Sequence, residues 1–235
     1  MVAAKKISKK KLKEPDEFIT VSEQVFLFVR DHLKKVATGV IIVVAILLAI
    51  FIYQMWERKK EGEAQTAFAS AMEVYQKVSS AYKEGTPQQY KDVLGRMDEI
   101  TKKFPRTSPG KMSYLYKGNL HLRLGEFDEA IKAYTTFLDK GEKEKLLRAF
   151  ATEGLGYAYE GKKDYAKALE SYQKTIESGG SFQMANAYLG AGRCYEKLGK
   201  TKEALESYRA YLKAAQKSQE SNMVQHKIAL LEGTK

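Results

Sequence analysis

Tyr114-Leu-Tyr-Lys-Gly-Asn-Leu-His-Leu-Arg-Leu-Gly125, Leu155-Gly-Tyr-Ala-Tyr159 and Tyr188-Leu-Gly-Ala-Gly-Arg-Cys-Tyr-Glu-Lys-Leu-Gly199 are three versions of one pattern. Aligned on Gly118, Gly156 and Gly192, each has an alanine twelve residues later: Ala130, Ala168 and Ala204. Each also has a tyrosine sixteen residues later: Tyr134, Tyr172 and Tyr208. The glycines are 38 and 36 residues apart. Self-similarity at such a period marks a repeat array, in which each unit buries its apolar face only against its neighbours.

The period sits slightly above the ~34 residues of a tetratricopeptide repeat. The surplus fits the loops around Gly141-Glu-Lys-Glu and Ser178-Gly-Gly-Ser. A small residue on one helix and an alanine on the next let two antiparallel helices approach closely. An aromatic four residues after the alanine lies on the same face and fills the gap. Tyr159 and Tyr195 fall on the packing side of the first helices, and Gly125 and Gly199 suit the turns between helices. The fold expected is all-α: one N-terminal transmembrane helix followed by a tetratricopeptide-repeat α-solenoid. Residues 106–217 hold the three repeats and 57–105 a connecting helix with a degenerate hairpin. A helix within 218–235, centred on Met223 to Leu231, caps the last repeat. Glu57 to Lys83 reads as one long helix, and Pro87 opens the next.

Ahead of the repeats, Val36 to Trp56 contains no charged residue, and twelve of its 21 residues are Val, Ile, Leu or Phe. As a helix it measures about 31 Å, enough for a hydrocarbon core of ~30 Å. Tyr53 and Trp56 stand where aromatic side chains favour the interface. A cleaved signal would need a shorter apolar core and a small-residue cleavage site, whereas this segment exits through Tyr-Gln-Met-Trp-Glu-Arg-Lys-Lys. The expectation is a retained anchor. Residues 1–21 form a basic tail and 22–35 a juxtamembrane helix. Nine Lys/Arg in residues 1–35 favour a cytoplasmic N-terminus and a periplasmic repeat domain. The immediate flanks are balanced, with Arg30, Lys34 and Lys35 before the span and Arg58, Lys59 and Lys60 after it.

The net charge of +11 comes from lysines interspersed with glutamates, not from an Arg-rich stripe. That pattern reads as a solvated helical surface, and no nucleic-acid partner is expected. The Lys5–Lys13 cluster is placed to touch anionic headgroups. One cysteine, Cys194, excludes an intramolecular disulfide, and it reads as a buried small hydrophobe. His32, His121 and His226 are far apart and lack metal-ligand spacing. Gly-Ala-Gly-Arg at 190–193 follows no strand and is not a phosphate loop. No metal, cofactor, small-molecule substrate or catalytic constellation is expected.

Stacked hairpins present the first helix of each repeat to an inner groove. On this register the groove carries Met112, Leu115, Asn119 and Leu122, then Phe150, Glu153 and Tyr157, then Asn186, Leu189 and Arg193. The carboxylate-clamp type of repeat resembles a different pattern. Its lysine is replaced here by Leu115, its second asparagine by Gly154, and its last cationic pair by Asn186 and Gly190. Of that set Asn119 alone survives, so an apolar or extended segment suits the groove better than an acidic C-terminus.

The whole plan resembles a bacterial family of ancillary Sec translocon subunits. The resemblance rests on Glu23-Gln-Val-Phe-Leu-Phe-Val-Arg-Asp-His-Leu-Lys-Lys-Val-Ala-Thr-Gly-Val40, the Tyr53-Gln-Met-Trp56 exit and the ending Met223-Val-Gln-His-Lys-Ile-Ala-Leu-Leu231. It covers nearly the full chain, which departs from the family in a longer lysine-rich tail and more regular repeats. It implies a non-enzymatic inner-membrane protein with periplasmic repeats. Such a protein docks at the translocon with a membrane-anchored chaperone or prolyl isomerase and passes exported chains to periplasmic chaperones. Two other readings share the architecture: a scaffold of a division, secretion or pilus machine, and an import receptor facing the cytosol.

Overall fold

The computed structural model describes residues 17–80, 83–141, 143–178, 180–215 and 219–233. The expected basic tail falls almost wholly outside them. The chain divides into two compact units, residues 1–58 and 59–235.

The first unit contains helix α1 (Glu17–Asp31) and the start of helix α2 (Leu33–Val78). The helix expected over 22–35, running on into the span, is instead divided at His32, the single residue between α1 and α2. At the junction the His32 N–H donates to the Phe28 carbonyl (3.0 Å) and the Val36 N–H to the His32 carbonyl (2.9 Å). α2 carries the apolar run, none of which is buried against the rest of the described chain. It is one helix long and apolar enough to cross a membrane.

The second unit is a series of helical hairpins. The later part of α2 pairs with α3 (Pro87–Lys103) around Ala64, Ala71, Val78, Val93, Met97 and Ile100. α2 ends at Val78, five residues before the expected Lys83. A two-residue-per-strand hairpin follows, β1 (Ser79–Ser80) against β2 (Lys83–Glu84), which the sequence did not announce. Thr86 then starts α3 with a full capping box: its hydroxyl accepts from the Gln89 N–H, and the Gln89 side chain accepts from its own N–H.

Three hairpins follow: α4 (Ser108–Arg123) with α5 (Phe127–Asp139), α6 (Lys145–Gly161) with α7 (Tyr165–Ser178), and α8 (Ser181–Lys197) with α9 (Thr201–Ala214). Helix α10 (Gln219–Gly233) packs on α9, burying Val224 beside Ala185 and Tyr211. Each hairpin turns in the same way. Gly125, Lys163 and Gly199 adopt φ of +71°, +63° and +69°. The next residue's N–H reaches back five residues at 2.9 Å, as Glu126 to His121, Asp164 to Tyr159 and Lys200 to Tyr195. These are Schellman caps, which satisfy carbonyls at the helix end. The middle repeat lacks the glycine but not the geometry.

Successive hairpins stack through α5 on α6 and α7 on α8, and the first helices also touch each other, α4 with α6 and α6 with α8. The first helices therefore line one continuous inner face.

Candidate functional site

The inner face is built on the three repeat tyrosines. Tyr134, Tyr172 and Tyr208 are fully buried, as are Ala130, Ala168 and Ala204 beside them. Each tyrosine ring lies on the glycine of its own first helix. A Cβ on Gly118, Gly156 or Gly192 would come within 2.4 Å of the ring of Tyr134, Tyr172 or Tyr208. Two rings are covered on the other side by the next repeat. A Cβ on Gly154 would sit 2.3 Å from Tyr134, and one on Gly190 would sit 2.4 Å from Tyr172. Gly154 and Gly190 are therefore packing residues, and this is why clamp asparagine or arginine is absent at those positions: the preceding tyrosine occupies the space. The paired Gly-x-Gly at 154–156 and 190–192 was the readable signal for it. Tyr159 and Tyr195 are half-buried and pack at the edges of the same layers.

Each buried tyrosine hydroxyl donates to a polar side chain of its own first helix. Tyr134 donates to Asn119 Oδ1 (2.6 Å), Tyr172 to Glu160 Oε2 (2.8 Å) and Tyr208 to Glu196. The acids are then held by the following helix. Arg193 grips Glu160 with two bonds of 2.7 and 2.8 Å, and Lys227 of α10 reaches Glu196 at 2.9 Å. Glu153 accepts from Asn186 Nδ2 (2.9 Å) and the Tyr157 hydroxyl (3.2 Å). Tyr157 also stands edge-on to Tyr172, with ring centres 5.8 Å apart, and the Arg193 guanidinium lies 5.9 Å over the Tyr157 ring.

Electrostatics differ along this ladder. Glu153 has an amide opposite it where Glu160 has a guanidinium, and burial raises its carboxyl above the ordinary range against the lowering effect of those two hydrogen bonds. Burial, and then the neighbouring carboxylate of Glu153 or Glu160, pushes the Tyr157 and Tyr172 hydroxyls up, so both stay protonated donors. Burial likewise pushes the Cys194 thiol up to about 12, consistent with an inert packing cysteine.

The ten residues expected to line the groove separate into two kinds. Leu115 and Glu153 are buried. Leu115 packs in a core with Tyr134, Phe137 and Ala151, so it is not a groove contact, and a charge there would disrupt the fold. Met112, Asn119, Leu122, Tyr157, Asn186, Leu189 and Arg193 are partly exposed, and Phe150 is exposed. The polar members face one another more than solvent, because Asn119, Tyr157, Asn186 and Arg193 all spend bonds or ring contacts inside the ladder. At the N-terminal end of α6, Leu146 and Phe150 are exposed one turn apart; Leu198, Met223 and Leu230 are exposed farther along the chain. At the far end a cavity of about 230 Å³ lies between α8 and α10, among Leu189, Arg193, Glu220, Met223, Val224 and Lys227, beside the buried Tyr208. Among the described residues no three or more His, Cys, Asp or Glu gather as a metal site.

Residues 28–233 match the family described as tetratricopeptide repeat-like domain. No curated protein matches the chain. Among solved structures, residues 41 to the end of MamA from Desulfovibrio magneticus RS-1 align with a TM-score of 0.52 at 16% identity, over 64% of this chain and 75% of that one. A tetratricopeptide repeat protein from Parabacteroides merdae aligns with a TM-score of 0.56 at 17% identity, over 72% of this chain and 61% of that one. At these identities the likeness is one of fold. With the family match spanning most of its length, the chain belongs to the tetratricopeptide repeat-like domain family, whose arrays serve as protein–protein interaction scaffolds.

Proposed function

We propose that this protein is a membrane-anchored scaffold, an accessory subunit of the Sec translocon that links it to periplasmic chaperones. The observation that carries the reading is a helix long and apolar enough to span a bilayer, placed directly ahead of an array that binds proteins. Its N-terminus is cytoplasmic and its repeats are periplasmic. The partly exposed inner residues Met112, Phe150, Tyr157 and Leu189 receive an apolar or extended segment of the partner.

Two measurements test this. In intact spheroplasts, added protease should digest the repeat domain; protection until lysis would put the repeats in the cytosol and favour an import receptor. The tagged full-length protein should then co-purify with the translocon, and Phe150→Glu should weaken that association without altering the circular dichroism spectrum. Co-purification with a division, secretion or pilus assembly in place of the translocon would overturn the Sec assignment and leave the scaffold reading intact.

A further inference from the structure

Helix α1 differs in kind from the apolar run that follows it. From Val36 to Trp56 no side of the helix carries a charge. α1 is one-sided. At about 100° per residue, Val21, Val25, Phe26, Phe28 and Val29 fall in one half of its circumference, while Glu23, Gln24, Arg30 and Asp31 fall in the other. Leu27 is the single apolar residue on the polar side. Val21, Val25, Phe26 and Phe28 are 56–67% exposed, so no described part of the chain covers this face.

An all-round apolar helix crosses a bilayer, whereas a helix with one apolar and one charged face lies along its surface. The chain also limits where this face can be. Phe28 is eight residues before Val36, so even along a straight helix it stays within about 12 Å of the hydrocarbon edge. At the junction Arg30, Lys34 and Lys35 supply three cations at headgroup level. His32, stacked on Phe28 with ring centres 4.8 Å apart, interrupts the helix between the two segments.

We propose that α1 is an interfacial membrane helix. Its Val21–Val25–Phe28 face sits at the headgroup–acyl boundary, and it hinges at His32 into the spanning segment. This rests on reading residues 36–56 as a membrane span.

The test uses the full chain in phosphatidylcholine–phosphatidylglycerol vesicles. Single cysteines are introduced as Val25→Cys, Phe28→Cys, Glu23→Cys and Val44→Cys and labelled with a polarity-sensitive fluorophore; the native thiol, Cys194, is fully buried and leaves the label to the new site. Lipids carrying a nitroxide near the headgroup or deep in the acyl chain report depth. The expected result is blue-shifted emission at Val25→Cys and Phe28→Cys, quenched most by the shallow nitroxide, with Glu23→Cys emitting as in water and Val44→Cys quenched by the deep one. A deep Val44→Cys probe with water-like Val25→Cys and Phe28→Cys would overturn the interfacial helix and spare the span. Blue-shifted α1 probes that neither nitroxide quenches would mean that protein, such as a second copy of the chain, covers the face, and would equally overturn it. A Val44→Cys probe untouched by the deep nitroxide would remove the span itself and the proposal with it.

Discussion

Tyr134 and Tyr172 are each held between two glycines on two different helices, and that makes the glycines unusually intolerant. Replacing Gly with Ala in an exposed helix interior ordinarily gains about 1 kcal/mol. Here the new methyl would enter a fully buried ring that is closed on its other side. Overpacking of that kind costs about 1–3 kcal/mol. Gly156→Ala and Gly190→Ala should both lower the urea midpoint, and the double variant should depart from additivity because both compress Tyr172. Lys163 presents the opposite case. It occupies a left-handed conformation that costs a non-glycine residue about 1–2 kcal/mol, where the equivalent residues are Gly125 and Gly199. Lys163→Gly should therefore raise stability by about 1 kcal/mol in the same denaturation assay. Glu153 gives a pH signature. Its carboxyl is raised in the folded state, so stability falls as pH rises from the ordinary value of 4.5 through the folded value, where the unfolded chain ionises first. Glu153→Gln keeps an acceptor for Asn186 and Tyr157. It should be more stable than the parent at neutral pH, with the advantage vanishing below that window.

At the scale of elements, the hairpins are tied together by side-chain bonds crossing from one first helix to the next. The bidentate Arg193–Glu160 pair is the strongest of these by geometry, partly buried on both sides. A lysine can supply charge but not two parallel bonds. Arg193→Lys should cost about 1.5–3 kcal/mol, the range for hydrogen bonds to charged groups, read as a lowered denaturation midpoint with unchanged helicity. The pairing of helices was legible because Gly, Ala and Tyr recur in register, and close helix packing demands small residues opposite large ones. Three things were not. Lys163 hides a turn, since left-handed backbone at a lysine leaves no compositional trace. α2 ends at Val78, where the chain turns into the β1–β2 hairpin, which periodicity within α2 does not reveal. Leu115 falls in the groove on a helical wheel, which gives direction but not depth; the stacking of α6 on α4 and α5 closes over it. Gly154 and Gly190 read in the sequence only as departures from a clamp, because the ring that requires them comes from the preceding repeat, 20 and 18 residues earlier.

For the whole molecule, the proposed membrane anchoring rests on the apolar run of α2, a helix long and apolar enough to cross a bilayer. A charged residue at mid-bilayer costs roughly 2.5–3.5 kcal/mol on insertion scales. The double change Ile46→Arg and Leu47→Arg should move the protein from the carbonate-resistant membrane fraction to the soluble fraction, assayed by fractionation and immunoblot, while a domain spanning 59–235 keeps its helical spectrum.

The tyrosine seats also bear on how this array can change length. α6 and α8 each offer Gly154 or Gly190 to a ring from the preceding hairpin, whereas α4 has Tyr116 at the equivalent position, stacked edge-on against Phe68 and Tyr75 of α2. A tandem duplication of residues 145–180 would give every interior ring a glycine on both sides, since Tyr172 would meet a second Gly154 and the copied Tyr172 would meet Gly190. Excision of the same stretch would seat Tyr134 on Gly190. The interior of the chain is thus open to recombination in whole hairpins, while Tyr116 at one end and α10 at the other are fixed covers that a new unit could not adjoin. Relatives with more or fewer repeats are then reachable by a single unequal crossover, without passing through a protein whose core is open.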